Sequence, residues 1–264
     1  MVLPVVPTID LTRLSRDELR GACETVGFFT VVGHGVPEEV IDEVATRSRA
    51  FFDLADAEKE RFRAPADTVG LPVYRPLGAE QLGANPDRKA SLDWGPTLAG
   101  VAWPSDDLRS VYERYYAELL RVAGVLVGAL DLGIEELFDD RSSSLRVIDY
   151  PAGFSGARAG AHRDYGVLTL IRSDAPGLEV QTRDGEWLAV QAPPGGFVVN
   201  IGYLLQRWTR DRLVSTLHRV VGHEGNAPRR QSLVFFHNPR SDAEIDGVVA
   251  GEYILRRAAG AGLS

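Results

Sequence analysis

Leu145-Arg-Val-Ile-Asp-Tyr150, Val167-Leu-Thr-Leu-Ile-Arg172, Leu178–Thr182, Trp187–Val190, Phe197-Val-Val-Asn-Ile201, Leu213–Val221 and Gln231–His237 follow one another as seven short runs of β-branched and aromatic residues. Gly177, Asp184-Gly185, Pro193-Pro194-Gly195-Gly196 and Asn226 punctuate them with turn signals. Strands of this length at this spacing read as a sandwich or a barrel. Upstream the hydrophobic period is different. Leu108, Val111, Tyr112, Tyr115, Leu119, Val122, Leu126 and Leu130 recur at intervals of three and four, which predicts one long amphipathic helix over 105–131. Ser15-Arg-Asp-Glu18 has capping-box spacing and predicts a helix towards Thr25. Pro37 suits a first helical position, ahead of a helix turning Val40, Ile41, Val44 and Phe51 inward. Pro4–Leu11 and Phe28–Val32 read as strands, Gly33-His34-Gly35 as a turn, and residues 64–100 as an irregular segment of the kind that often carries function. Helices lead and a β core follows.

The strands carry a metal-binding pattern. His162 and Asp164 stand two apart at a strand mouth, so both side chains point the same way and can share one ion, while Arg163 points elsewhere. His218 lies in a later apolar strand. Two imidazoles and a carboxylate on one face of an octahedral ion leave three positions open, the usual donor set for non-haem Fe(II). A lone His-x-Asp pair occurs by chance in many proteins, and a lone strand histidine is more often a satisfied core residue. His223 is a rival ligand, although its offset of five from His218 turns it to the opposite side of a regular strand. His34 and His237 read as structural.

Bulk composition narrows the partners. The chain has 264 residues, 44% hydrophobic and 25% charged, enough for one generous core and for a single domain over 1–264. A net charge of −8 argues against nucleic acid, whose phosphates need a basic face. No apolar run approaches bilayer-spanning length, and the N-terminus lacks a signal-peptide pattern, so no membrane partner is expected. A single cysteine, Cys23, excludes an internal disulfide and fits a reducing cytoplasm. The expected partner is a small-molecule substrate; nothing here fixes the oligomeric state.

Taken together, several motifs resemble the isopenicillin N synthase-like branch of the Fe(II)/2-oxoglutarate-dependent dioxygenases. They are Gly27–Pro37, His162-Arg-Asp-Tyr-Gly-Val-Leu-Thr-Leu170, Asn200–Thr209, Ser215-Thr-Leu-His-Arg-Val220 and Ala250-Gly-Glu-Tyr253. The resemblance runs nearly end to end. It implies a mixed α and β fold with a double-stranded β-helix (jelly-roll) core: a mainly helical part at 1–140, the core at 141–240 and a C-terminal helix at 241–264. It makes His162, Asp164 and His218 the iron ligands. Arg230-Gln-Ser232 matches the Arg-x-Ser that holds the distal carboxylate of 2-oxoglutarate, and a bidentate guanidinium with a hydroxyl beside it suits that task. Tyr150 matches a tyrosine that in some members also donates to that carboxylate, and reads equally well as a core tyrosine. Two departures stand out: Tyr203 where the family often has Asp after Asn-Ile-Gly, and twelve residues between His218 and Arg230, a longer turn than usual.

The implied activity uses dioxygen to couple oxidative decarboxylation of 2-oxoglutarate, with release of succinate and CO2, to hydroxylation, desaturation or cyclisation of a small organic substrate. Ascorbate would be the accessory reductant. Two other readings stay open here: an Fe(II) oxidase of the same fold that does without 2-oxoglutarate, and a non-catalytic metal-binding β-barrel protein. Tyr74, Arg75 and Trp94 lie in the irregular segment that tends to border the pocket in this family, and anchoring of the loop is their plainer role. The bacterial look of the composition, with only two lysines, points to natural-product biosynthesis.

Overall fold

The structure is a computed structural model and describes residues 6–63, 74–98, 102–222 and 227–260. Its N-terminal part runs β1 (Thr8–Asp10), α1 (Arg16–Thr25), β2 (Phe28–Val32), α2 (Glu38–Phe52), α3 (Asp56–Lys59), β3 (Tyr74–Arg75), β4 (Ala90–Trp94) and α4 (Asp106–Leu130). The core follows as β5 (Ser144–Tyr150), β6 (Gly156–His162), β7 (Leu168–Ser173), β8 (Leu178–Gln181), β9 (Trp187–Ala189), β10 (Phe197–Ile201), α5 (Tyr203–Trp208), β11 (His218–Gly222) and β12 (Arg230–His237). A small hairpin, β13 (Glu244–Ile245) with β14 (Val248–Val249), leads into α6 (Ala250–Gly260).

Two sheets face each other, as a jelly roll requires. The larger has the order β1-β2-β10-β7-β12-β5-β4-β3, the smaller β6-β11-β8-β9. Every pairing is antiparallel except β1 with β2. Strand parity sorts the side chains. Leu145 and Val147 of β5, Leu233 and Phe235 of β12, and Phe197, Val199 and Ile201 of β10 turn outward into one apolar cluster with α1, α2 and α4. Their neighbours Ile148, Val234 and Val198 turn inward to a second cluster with Val180 and Val220 of the smaller sheet. Because the large sheet is covered on both faces, its central strands are nearly continuous apolar runs rather than alternating ones.

The local signals work as their chemistry demands. Ser15 caps α1 by accepting from the Glu18 N–H at 3.3 Å, and Ser105 caps α4 by accepting from Leu108 N–H at 3.1 Å. All eight residues of the α4 stripe are buried. Pro37 sits one place earlier than expected, as the N-cap of α2. The Leu213–Val221 run forms a ladder only from His218 onward. The segment 64–100 is not irregular throughout: β3 and β4 extend the large sheet, with Leu92 opposite Val147 and Asp93 opposite Arg146. β4 alternates Ala90, Leu92 and Trp94 with Ser91 and Asp93, but it spans only 5 residues with no β-branched side chain, so the strand signal is weak. Tyr74 and Trp94 are anchors, packed edge-on against Phe51 and Tyr116. Burial pushes the Cys23 thiol up to about 12, which leaves it chemically inert.

Two histidines are structural, as their positions suggested. The ring of His34 accepts from Val36 N–H at Nδ1 and donates to the Gly195 carbonyl from Nε2. His237 stacks on Phe138, with its Nδ1 3.0 Å from Ser143 Oγ, and burial pushes its pKa from 6.5 down to about 4. Between those values the unfolded chain binds a proton that the native chain refuses. Native stability from this group is therefore complete above pH 6.5 and is lost as pH falls towards 4, by up to about 3 kcal/mol. Urea unfolding of wild type and His237→Gln at pH 7.5 and 4.5 should show the smaller pH-dependent loss in the variant; equal losses would refute it.

Candidate metal and co-substrate site

The antiparallel register of β6 and β11 sets His218 directly opposite His162, and their ring centroids are 4.3 Å apart. Asp164 follows in the turn that leaves β6. Its Oδ1 lies 3.7 Å from Nε2 of both His162 and His218, and one ligand atom from each of the three residues falls within 4.8 Å of the others. The distal nitrogens are not free to compete. Nδ1 of His162 donates to the Gly160 carbonyl at 2.8 Å and Nδ1 of His218 to the Thr216 carbonyl at 3.2 Å, which selects the tautomer with both Nε2 lone pairs facing Asp164. Asn200 of β10 donates to Asp164 Oδ2 at 2.7 Å, orienting the carboxylate so that Oδ1 faces the rings.

Electrostatics favours the protonation states a metal needs. Burial, then the neighbouring His218, pushes the His162 pKa well below its usual 6.5. Burial alone would raise Asp164, but the two imidazoles and the bonds from Thr169 and Asn200 outweigh it and hold the carboxyl below the ordinary range. Two neutral imidazole nitrogens and a carboxylate oxygen, gathered on one side and open on the other, suit a divalent transition ion. His223 lies outside the described residues. Tyr203 gives its backbone N–H to the Asp164 carbonyl at 2.8 Å, while its ring stacks on Tyr253 of α6. The departure at this position therefore changes the wall and not the donor set.

The open side faces a cavity of about 140 Å³ that runs between the sheets to Arg230 and Ser232. Arg230 is 2% exposed. Its guanidinium donates to Ser232 Oγ, to Ser173 Oγ at 2.8 Å and to the Ala175 carbonyl at 3.1 Å, and stands over the Tyr150 ring at 5.2 Å. All of these partners are neutral, and among the described residues no carboxylate is within ion-pair distance of it. A buried, uncompensated cation is a binding site for an anion. Tyr150 is its cross-strand partner in the β5–β12 register, and Ser173 of β7 stands opposite Ser232. Ser173 and Asn200 escaped the sequence reading as site residues, since a lone serine or asparagine in a strand carries no spacing signal.

Comparison with known proteins agrees with this geometry. Residues 141–239 match the family described as the 2OG-Fe(II) oxygenase superfamily, and residues 6–114 match the non-haem dioxygenase N-terminal family named from morphine synthesis. A 2-oxoglutarate-dependent dioxygenase of Monascus ruber is 31% identical over 90% of this chain and 83% of its own length. The chain belongs to the 2-oxoglutarate/Fe(II)-dependent oxygenases. Validamycin A dioxygenase of Streptomyces hygroscopicus subsp. limoneus is 32% identical, covering 91% of this chain and 78% of the relative. Among solved structures, a 2OG-Fe(II) oxygenase family protein of Caulobacter crescentus superposes with a TM-score of 0.85 at 27% identity, over 97% of this chain and 98% of that one. A Neurospora crassa protein crystallised with α-ketoglutarate and thymine gives 0.81 at 25%, over 97% and 96%. This oxygenase thus uses Fe(II) and 2-oxoglutarate. That disfavours both the co-substrate-independent oxidase and the passive barrel. No helix among the described residues is long and apolar enough to cross a membrane.

Proposed function

We propose that the iron of this oxygenase is held by His162 Nε2, Asp164 and His218 Nε2, and that Arg230, Ser232 and Tyr150 receive the distal carboxylate of 2-oxoglutarate. The observation that carries the reading is one cavity with a three-donor cluster on its wall and an unpaired buried guanidinium at its end. Bound there, iron and 2-oxoglutarate would supply the oxidising chemistry, in which dioxygen takes two electrons from the co-substrate as it is decarboxylated to succinate and CO2, and two more from a C–H bond of the substrate.

The protein's own residues do the rest. Gly160 and Thr216 carbonyls accept from Nδ1 and lock the two rings, so each imidazole presents Nε2 to the metal without reorganising. Asn200 keeps Asp164 ionised and aimed. Arg230 fixes the co-substrate at its far end, which orients its near end towards the ligand cluster. Ile148, Ile171, Leu178 and Val220 line the space between and keep it dry, which strengthens every charge contact inside. The whole chain, 1–264, acts as one dioxygenase domain, in the cytoplasm, on small molecules of the kind modified in natural-product biosynthesis, with ascorbate as the accessory reductant. The cytoplasmic setting is supported by the single buried cysteine.

The test is stoichiometry. Anaerobic addition of Fe(II) and then 2-oxoglutarate should raise a weak visible charge-transfer band. On admitting oxygen, succinate should form one-for-one with oxidised substrate. Turnover without loss of 2-oxoglutarate would overturn the assignment of Arg230.

A further inference from the structure

Tyr150, Ile148, Arg146 and Ser144 turn inward from β5 and line the same cavity. At about 3.3 Å per residue, Arg146 stands roughly 13 Å along the strand from Tyr150. The cavity therefore has two polar ends on one strand, and they differ in charge balance. Arg230, at the first, is a single cation among neutral partners. At the second, Arg146 donates to Asp93 at 2.7 and 3.2 Å and to Glu80 at 2.9 Å. Arg75 bonds the same two carboxylates at 2.9 and 3.0 Å, and Lys89 lies 2.8 Å from Glu80 and 3.1 Å from Asp87. All six are at most 8% exposed. Three cations meet three carboxylates, so this end is neutral.

A buried ion network is a costly wall, because apolar residues of similar volume commonly stabilise a fold as well or better. Its placement points to recognition instead. Glu80, Lys89 and Arg146 all line the cavity. Arg146 spends three of its five N–H donors on the network and retains two, beside a carboxylate that can accept. A charged group seated there would leave one charge uncompensated in a dry wall. A neutral group with a donor and an acceptor side by side would not. Phe236, Val234, Leu82 and Ile254 offer apolar surface for the remainder of the molecule.

Resting on the reading that the Arg230 end takes 2-oxoglutarate, we propose that the Glu80–Arg146 end binds the primary substrate through an uncharged donor–acceptor group of the carboxamide or lactam type.

The test uses protein loaded with Mn(II) and 2-oxoglutarate, and the probes benzamide, benzoate and benzylamine, which share an apolar body and differ in charge. Paramagnetic relaxation of the probe protons reports binding near the metal. Benzamide should bind tightest to wild type. Glu80→Gln leaves the end at net +1 and should shift preference to benzoate by about ten- to a hundred-fold; Arg146→Gln leaves it at −1 and should favour benzylamine similarly. The double variant E80Q/R146Q is neutral again and should restore benzamide. A reversal of preference cannot come from damage to the fold, and if Arg146→Gln does not fold, the near-isosteric Glu80→Gln carries the test alone. Equal relaxation of all three probes by wild type, a charged probe binding wild type best, or an unchanged order in Glu80→Gln overturns the proposal. Failure of the wild-type protein to bind 2-oxoglutarate is a separate result, which overturns the reading of the Arg230 end and this proposal with it.

Discussion

His218→Ala is expected to abolish iron-dependent turnover, by roughly three orders of magnitude or more, while the purified protein keeps its far-ultraviolet circular dichroism. The same holds for His162→Ala and Asp164→Ala. The reason is geometric. In the proposed site each residue supplies one of three protein donors gathered among the described residues, and the other two would not hold the ion on the face that opens to the cavity. His218 is 3% exposed and edge-on to Phe28 at 5.3 Å, so its removal also leaves a small void. A loss of about 1–3 kcal/mol from that void leaves the chain folded, provided total stability is ordinary. Anaerobic Fe(II) titration separates the two effects: the variant should stay folded and bind iron weakly. Full activity in His218→Ala, or undiminished iron affinity supplied by His223, would remove His218 from the ligand set.

Much of this was readable in the sequence because the informative signals were periodic. The α4 stripe at intervals of three and four and the capping-box spacing at Ser15 both follow from backbone geometry alone. So does the shared direction of Arg230 and Ser232. What stayed hidden lacks such a period. The strand β6, Gly-Ala-Arg-Ala-Gly-Ala-His, has no β-branched or large apolar residue. Its Gly160 is required because the loop at Gly83 packs against the strand's backbone, where a Cβ would stand 2.5 Å from Gly83 N, and its Gly156 because φ there is +85°. The strand β4 is short and has no β-branched residue, and its Asp93 serves a buried network whose other members lie far apart in sequence. Asn200 acts through a partner 36 residues away, and Ser173 through partners 57 and 59 residues away. Long-range pairing of that kind leaves no local trace.

Arg230→Ala should raise the apparent KM for 2-oxoglutarate by roughly thirty-fold to several thousand-fold, as expected for loss of a charge-assisted bond to a buried carboxylate. Iron affinity should hardly move, because the guanidinium touches Ser173, Ser232, Ala175 and the Tyr150 ring but none of the proposed iron ligands. That split between co-substrate and metal is what a general loosening of the core would not produce. Burial already works against the charge at this position, holding the Arg230 pKa below its usual value. In the protein without co-substrate the cation is therefore a liability, and deleting it should leave thermal stability unchanged or slightly higher. With 2-oxoglutarate present the order reverses. Ligand that binds only the native state stabilises it in proportion to the logarithm of its concentration over Kd, so at equal 2-oxoglutarate wild type should melt higher and the variant should respond only at concentrations roughly thirty-fold or more greater. Arg230→Lys, which keeps the charge but loses the paired N–H geometry, should fall between them. A 2-oxoglutarate dependence of Tm that survives Arg230→Ala at the same concentrations would place the distal carboxylate elsewhere in the cavity.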